Sequence, residues 1–165
     1  AELVRQLVAR ETADSPDSLL LVAGDLNESA DEYTRIGAAY ATALWDAALG
    51  TVPAGLMITG KLGADNGVLL YDPWLDGRWN LHGSAGIGSY CYRGEWLTLD
   101  HILCNAAARD GSGWEFSSFS VMSDPPFSDD RGYPASWDSR SGVGSSDHFP
   151  VCMEFTTAGE GASPD

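Results

Sequence analysis

The chain has 165 residues, a length that fits one domain. Hydrophobic residues make up 44 %, with six Trp, six Tyr and five Phe, so a core can form, while 19 Gly and eight Pro argue against a helical bundle. A formal net charge of −15 with only nine Lys and Arg argues against a tight, non-specific grip on long nucleic acid, which needs a basic surface; a metal ion can offset local acidity, so phosphodiester cleavage stays open.

Residues 2–11 carry Leu3, Val4, Leu7 and Val8 on one helical face, the pattern of an amphipathic helix. Asp14 to Asp17 break it. Leu19 to Ala23 is a continuous apolar run ending in Gly24, which predicts a buried strand that delivers Asp25 and Asn27 in a loop at its C-terminal end. Ser29-Ala30-Asp31-Glu32 fits a capping box for a helix over about 30–44. Residues 50–86, rich in Gly, Pro and Trp, suggest only a short strand near Gly67–Tyr71. Residues 87–104 predict a hairpin that turns at Arg93-Gly94 and returns from Trp96 to Cys104. In that return strand the two-residue period sends Asp100 and His101 to opposite sides. Phe116–Val121 and Val151–Phe155 predict two more strands, separated by a long polar loop over 123–146 of a length often used for function.

Cys91, Cys104 and Cys152 are too few and too widely spaced for a disulfide framework or a zinc ribbon, and their apolar settings predict buried free thiols. No apolar run reaches transmembrane length, and no signal peptide opens the chain. Because the chain opens within the predicted helix, a leader on a longer precursor stays open.

Three motifs carry chemistry. Gly24-Asp25-Leu26-Asn27 sets a carboxylate that can hold a water beside an amide that can donate to a phosphoryl oxygen. Leu99-Asp100-His101-Ile102-Leu103 places a charge inside an apolar strand, where a carboxylate needs a donor such as a histidine. Ser145-Ser146-Asp147-His148-Phe149-Pro150 sets a carboxylate beside an imidazole just before a strand. Each has an ordinary explanation by itself: Asp and Asn at a strand end shape turns, and an Asp-His pair can be a turn beside a surface histidine.

Together and in this order, the motifs resemble the endonuclease/exonuclease/phosphatase superfamily, which contains deoxyribonuclease I, abasic-site endonucleases, sphingomyelinases and inositol-polyphosphate phosphatases. The resemblance runs from Leu19 to Phe155, and the hairpin from Gly88 to Asp100 is similar to a bacterial branch of that group. It implies an α+β fold: half of a four-layer α/β/β/α sandwich, with a mixed, mostly antiparallel sheet and flanking helices. Residues 1–157 would form the C-terminal half of such a domain and 158–165 a frayed tail. The activity implied is metal-dependent hydrolysis of a phosphodiester or phosphomonoester by an activated water, as a nuclease or a phosphatase. Asp25 would orient the water, Asn27 and His148 would contact the phosphate, and Asp100 would orient His148. Asp147, with Asp25, would lie at a divalent ion, Mg2+ or alternatively Mn2+ or Ca2+.

Arg93 and Trp96 are candidates to line the substrate cleft, against the alternative of a turn cation and a core aromatic. His101 is expected to pack or to be hydrogen-bonded, and His82 to lie on the surface. Asp124, Asp129, Asp130 and Asp138 lack regular ligand spacing and predict a solvated loop. The chain departs from the family in one respect: no residue fills the part of the metal-binding glutamate, the additional asparagine, or the histidine or tyrosine of the family's N-terminal half. The expected partners are therefore that half and a phosphate ester, whether a small phosphoester, a lipid head group or a nucleic acid. The isolated chain is expected to be nearly inactive, and the alternative reading is a non-catalytic, partner-binding half-domain.

Overall fold

The structure, a computed structural model, describes residues 2–36, 58–59, 70–76 and 88–159. In chain order these form α1 (Glu2–Asp14), β1 (Leu21–Asp25), α2 (Glu32–Arg35), β2 (Ile58–Thr59), β3 (Leu70–Tyr71), β4 (Tyr90–Tyr92), β5 (Glu95–Leu97), β6 (Asp100–Cys104), β7 (Trp114–Val121) and β8 (Val151–Thr157), with 3-10 turns at Pro73–Leu75 and Ala106–Arg109. Four strands make a mixed sheet in the order β1-β6-β3-β2, antiparallel except for β2 beside β3, while β4–β5 and β7–β8 pair as antiparallel hairpins. The fold is α+β. No helix among the described residues is long and apolar enough to cross a membrane.

β6 organises the molecule because alternate residues serve opposite faces. Leu103 joins Val8, Ile58 and Leu70 in one apolar cluster, with Val4, Leu20, Val22 and Leu75 around it. Cys104 joins Tyr71, Trp74, Ala108, Phe116 and Phe119 in another. α1 covers the first cluster with Val4 and Val8, four residues apart and so on one stripe. Leu3 and Leu7, expected on that buried face, are 70 % and 42 % exposed.

β1 corrects a second expectation. It is hydrogen-bonded to β6 in the register Leu21↔Cys104, Ala23↔Ile102 and Asp25↔Asp100, and among the described strands it stands at the edge of its sheet. Its continuous apolar sequence predicts burial on both faces, yet Leu21 is 49 % exposed and Ala23 is exposed too. Val22 alone packs into the core. The entry to β1 is pinned by Asn105, just past β6: its Oδ1 accepts from Leu20 N at 3.0 Å and its Nδ2 donates to Ser18 O at 2.9 Å.

The expected hairpin return strand from Trp96 to Cys104 is two strands. Arg93 (φ +52°) and Gly94 (φ +87°) make the tight turn, the sign pattern of a type I′ connection. β5 then stops at Leu97, and after Thr98 and Leu99 the chain enters a different sheet as β6. In β7 a bulge between Phe116 and Ser118 adds one residue, so Phe116 and Phe119, three apart, both turn into the core. β8 runs to Thr157, two residues past the predicted strand end at Phe155, and Ala158 N donates to Gly113 O at 2.8 Å. Of the expected helix over 30–44 the described part is α2; residues 37–44, the first residues of the strand expected at 67–71, and His82 lie outside the described residues.

Candidate phosphoester site

The Gly24–Asn27 motif leaves β1 as a short loop anchored both within itself and to the neighbouring strand segment. Leu26 N donates to Leu99 O at 2.8 Å. Asp25 Oδ1 accepts from Asn27 N at 2.8 Å, an Asx turn, and Asn27 takes a left-handed φ of +53°, which asparagine tolerates better than most residues. The capping box expected at Ser29–Glu32 does not form. Ser29 is buried, and its Oγ lies 3.1 Å from Thr98 Oγ1 and accepts from Thr98 N at 3.2 Å, while Thr98 Oγ1 accepts from Ala30 N at 2.8 Å. Ser29 thus latches the loop exit to the segment between β5 and β6, at the expense of the local cap.

The cross-strand register brings Asp25 directly opposite Asp100, so both carboxylates share one face of the sheet. His148 reaches the same place from the far end of the chain. Its Nδ1 lies 2.7 Å from Asp100 Oδ2, and both side chains are about one-fifth exposed. Asp25, Asp100 and His148 each offer a ligand atom, all within 4.8 Å of one another. Opposite ligands of a magnesium-sized ion stand roughly 4.2 Å apart and adjacent ones roughly 3 Å, so the group would have to draw together to close on a divalent ion. The two carboxylates are hard oxygen donors that fit such an ion, while the Nδ1 of His148 is taken up by Asp100.

Ser89 and Tyr90 hold the two halves of the Asp100–His148 pair together. Ser89, fully buried, accepts from Leu99 N at 3.2 Å and from Asp100 N at 3.1 Å through its Oγ, while its carbonyl accepts from Phe149 N at 2.7 Å. Tyr90 forms a β-bridge with His148, and the two rings stack at 4.6 Å. A Cβ on Gly88 would sit 2.1 Å from Leu97 O, so only glycine lets this segment approach so closely. Trp74 Nε1 donates to Asp100 O at 2.9 Å and holds the next peptide of the same strand. On His148 itself, Ser146 Oγ accepts from the backbone N–H at 3.0 Å.

The remaining candidates divide. Asn27 lies in the loop beside Asp25. Asp147 is exposed, in the bend before His148, and stands outside the three-residue group. The Trp96 ring, half-buried, stacks on Tyr133 at 5.9 Å and on Phe149 at 5.7 Å, contacts that suit the packing alternative. Arg93 sits in the hairpin turn with its guanidinium over the Tyr92 ring at 5.0 Å, about 10 Å along the strand from Tyr90. His101 is hydrogen-bonded and buried, as the alternation along β6 requires. Its Nδ1 lies 2.9 Å from Asp72 Oδ2 and its Nε2 2.9 Å from Glu28 O. Burial pushes its pKa down, but the hydrogen bond and charge of Asp72, with the carbonyls of Glu28 and Thr98, outweigh that and leave it raised.

Ser29, Asp72, Ser89, Tyr90 and Thr98 are contributors that the motifs did not single out. The four acidic loop residues hold no ion-like arrangement among the described residues; Asp129 accepts from Arg131 and Tyr133, and Asp138 from Arg140 and Ser141. All three thiols are free, though only Cys104 is buried. Comparison with family models, with curated proteins and with solved structures returned no match for this chain.

Proposed function

We propose that this chain carries the water-orienting and phosphate-contacting part of a metal-dependent phosphoesterase, of the endonuclease/exonuclease/phosphatase type. The observation that carries the reading is the convergence of three motifs, separated by 75 and 48 residues at their aspartates and histidine, on one cluster: Asp25, Asp100 and His148 within 4.8 Å. Structural pairing alone accounts for Asp100 with His148, but it gives no reason for a second, exposed carboxylate opposite the pair.

The chemistry follows from the donors. Asp25 accepts a hydrogen bond from the attacking water and takes up its proton as the oxygen approaches phosphorus. Asp100 holds His148 through Nδ1, which fixes the ring and directs Nε2 away from the carboxylate, toward a phosphoryl oxygen. Asn27 donates from its amide to a second oxygen and steadies the water. Asp25 and Asp100 are the hard donors that would hold magnesium, manganese or calcium, and such an ion would supply Lewis-acid stabilisation of the charge that builds on the phosphoryl and leaving oxygens. A net charge of −15 favours small phosphoesters, lipid head groups or short nucleic acids over long duplexes.

The same reading makes the fold one half of an α/β/β/α sandwich. What supports this is the open apolar surface of the edge strand β1, where Leu21 and Ala23 have no cover among the described residues. That surface also favours a second reading, a partner-binding module without turnover. Magnesium-dependent hydrolysis of bis(p-nitrophenyl) phosphate by the intact gene product separates the two. The enzyme reading expects turnover that Asp25→Ala and His148→Ala each lower by roughly 100-fold or more. Turnover untouched by either variant would refute the site, and none at all would favour the module. The 165-residue chain by itself is expected to stay near the metal-only blank.

A further inference from the structure

β6 carries two histidine–aspartate pairs back to back. Asp100 faces His148 on the side of the candidate site. The next residue, His101, turns to the other side and meets Asp72 with both side chains fully buried. The second pair touches neither the water nor the phosphate of the proposed reaction. Its outer contact is the telling one: His101 Nε2 lies 2.9 Å from the carbonyl oxygen of Glu28, the residue that follows Asn27. A carbonyl only accepts, so this ring nitrogen carries a proton and donates it.

Asp72 is itself held. Its Oδ1 accepts from Trp74 N at 3.0 Å at the head of the 3-10 turn, which leaves Oδ2 for His101 Nδ1 at 2.9 Å. The contacts therefore run without a break from the 3-10 turn to the loop: Trp74 amide, Asp72 carboxylate, His101 ring, Glu28 carbonyl. On the loop side, Leu26 is tied to Leu99 and Ser29 to Thr98. Between these ties lie Asn27 and Glu28, with Asn27 in the left-handed region. The Glu28 carbonyl, between these two ties, is where His101 takes hold.

We infer that His101, oriented by Asp72, is a positioning residue that fixes the Asp25–Asn27 loop for the proposed reaction; the inference rests on the phosphoesterase reading of that site. Supporting groups of this kind typically change metal affinity or activity by about 10- to 100-fold when removed.

Two variants with the same amide at different reach provide the test. His101→Asn keeps a donor at the position of Nδ1, so Asp72 stays paired, but it does not extend to Glu28. His101→Gln extends to the position of Nε2 and regains the Glu28 carbonyl. Two readouts are taken well below either melting temperature: hydrogen exchange at the Asn27 amide, which donates to Asp25 Oδ1 at 2.8 Å, and the dissociation constant for Mn2+. His101→Asn is expected to speed Asn27 exchange and weaken Mn2+ binding, each by about tenfold or more, and His101→Gln to restore both. A purely structural role predicts the opposite ranking, because Asn preserves the buried pair and Gln breaks it. Unchanged readouts in His101→Asn, or no rescue by His101→Gln, overturn the inference. Asp25→Asn keeps the two claims separable. If it binds Mn2+ as the parent chain does while Asn27 exchange follows the expected pattern, the loop-positioning role stands and the reading of the site falls.

Discussion

Ser89→Ala removes one oxygen and leaves two donors without an acceptor. Ser89 is fully buried, and its Oγ accepts from the amides of Leu99 and Asp100 at 3.2 and 3.1 Å. A buried donor deprived of its partner costs about 1–3 kcal/mol. Both amides are only partly buried, so the lower part of that range applies to each, and the sum is about 2–3 kcal/mol. For a chain of this size each kcal/mol lowers the melting temperature by roughly 2–4 °C, which gives a drop of about 4–12 °C. Urea denaturation followed by tryptophan fluorescence, with a thermal scan beside it, measures both quantities. Ser146→Ala is the control: its hydroxyl also accepts a backbone amide, that of His148 at 3.0 Å, but in an exposed position, so its effect stays within about 0.5 kcal/mol. If Ser89→Ala is as mild as Ser146→Ala, Ser89 does not hold the Asp100 segment.

Two further expectations follow from individual groups. Burial, with the charge of Asp72 adding to it, pushes the Cys104 thiol up to about 12; at pH 8 a thiol reagent should modify Cys91 and Cys152 in the native protein and reach Cys104 only on unfolding, and equal rates at all three would contradict this. Asp129 is lowered below the ordinary aspartate value by the Tyr133 amide first and by Arg131 next, and Asp138 by the Arg140 amide and Ser141. A depressed folded pKa gives stability that is present above the ordinary value and is lost as pH falls through the depressed one. The amide shifts of Arg131, Tyr133 and Arg140 should therefore titrate below the midpoint of a free aspartate, and a midpoint at the ordinary value would show that these turns hold no preference for the charged form.

The opposite facing of Asp100 and His101 and the tight turn of the hairpin were legible because they depend on local pattern. Alternation along β6 sends Asp100 and His101 to opposite faces, and the structure pairs them with His148 and Asp72. Arg93-Gly94 marks a turn because a tight hairpin needs positive φ at both positions. What failed depends on partners distant in sequence. Ser29 looked like a helix cap, but Thr98, 69 residues away, takes its hydroxyl. The return strand looked continuous through Thr98, but β6 pairs with β1 and β3 in another sheet. Phe116 and Phe119 share a face only because of a bulge that no residue type announces. The stacking of Trp96 on Tyr133 and Phe149, 37 and 53 residues away, left no mark in the local sequence. The apolar run of β1 gave no sign that Leu21 and Ala23 would face outward, because composition records how apolar a strand is and not what covers it.

The central claim is that three separated motifs converge on one site in which Asp25 and Asp100 hold a divalent cation, and manganese titration followed by electron paramagnetic resonance tests it most directly. The parent chain is compared with Asp25→Ala, Asp100→Ala and Asp147→Ala. Asp25 and Asp100 belong to the cluster and Asp147 stands outside it, so the first two variants should weaken Mn2+ binding by at least about tenfold and the third should leave it unchanged. Equal binding by the parent chain, Asp25→Ala and Asp100→Ala would contradict the account.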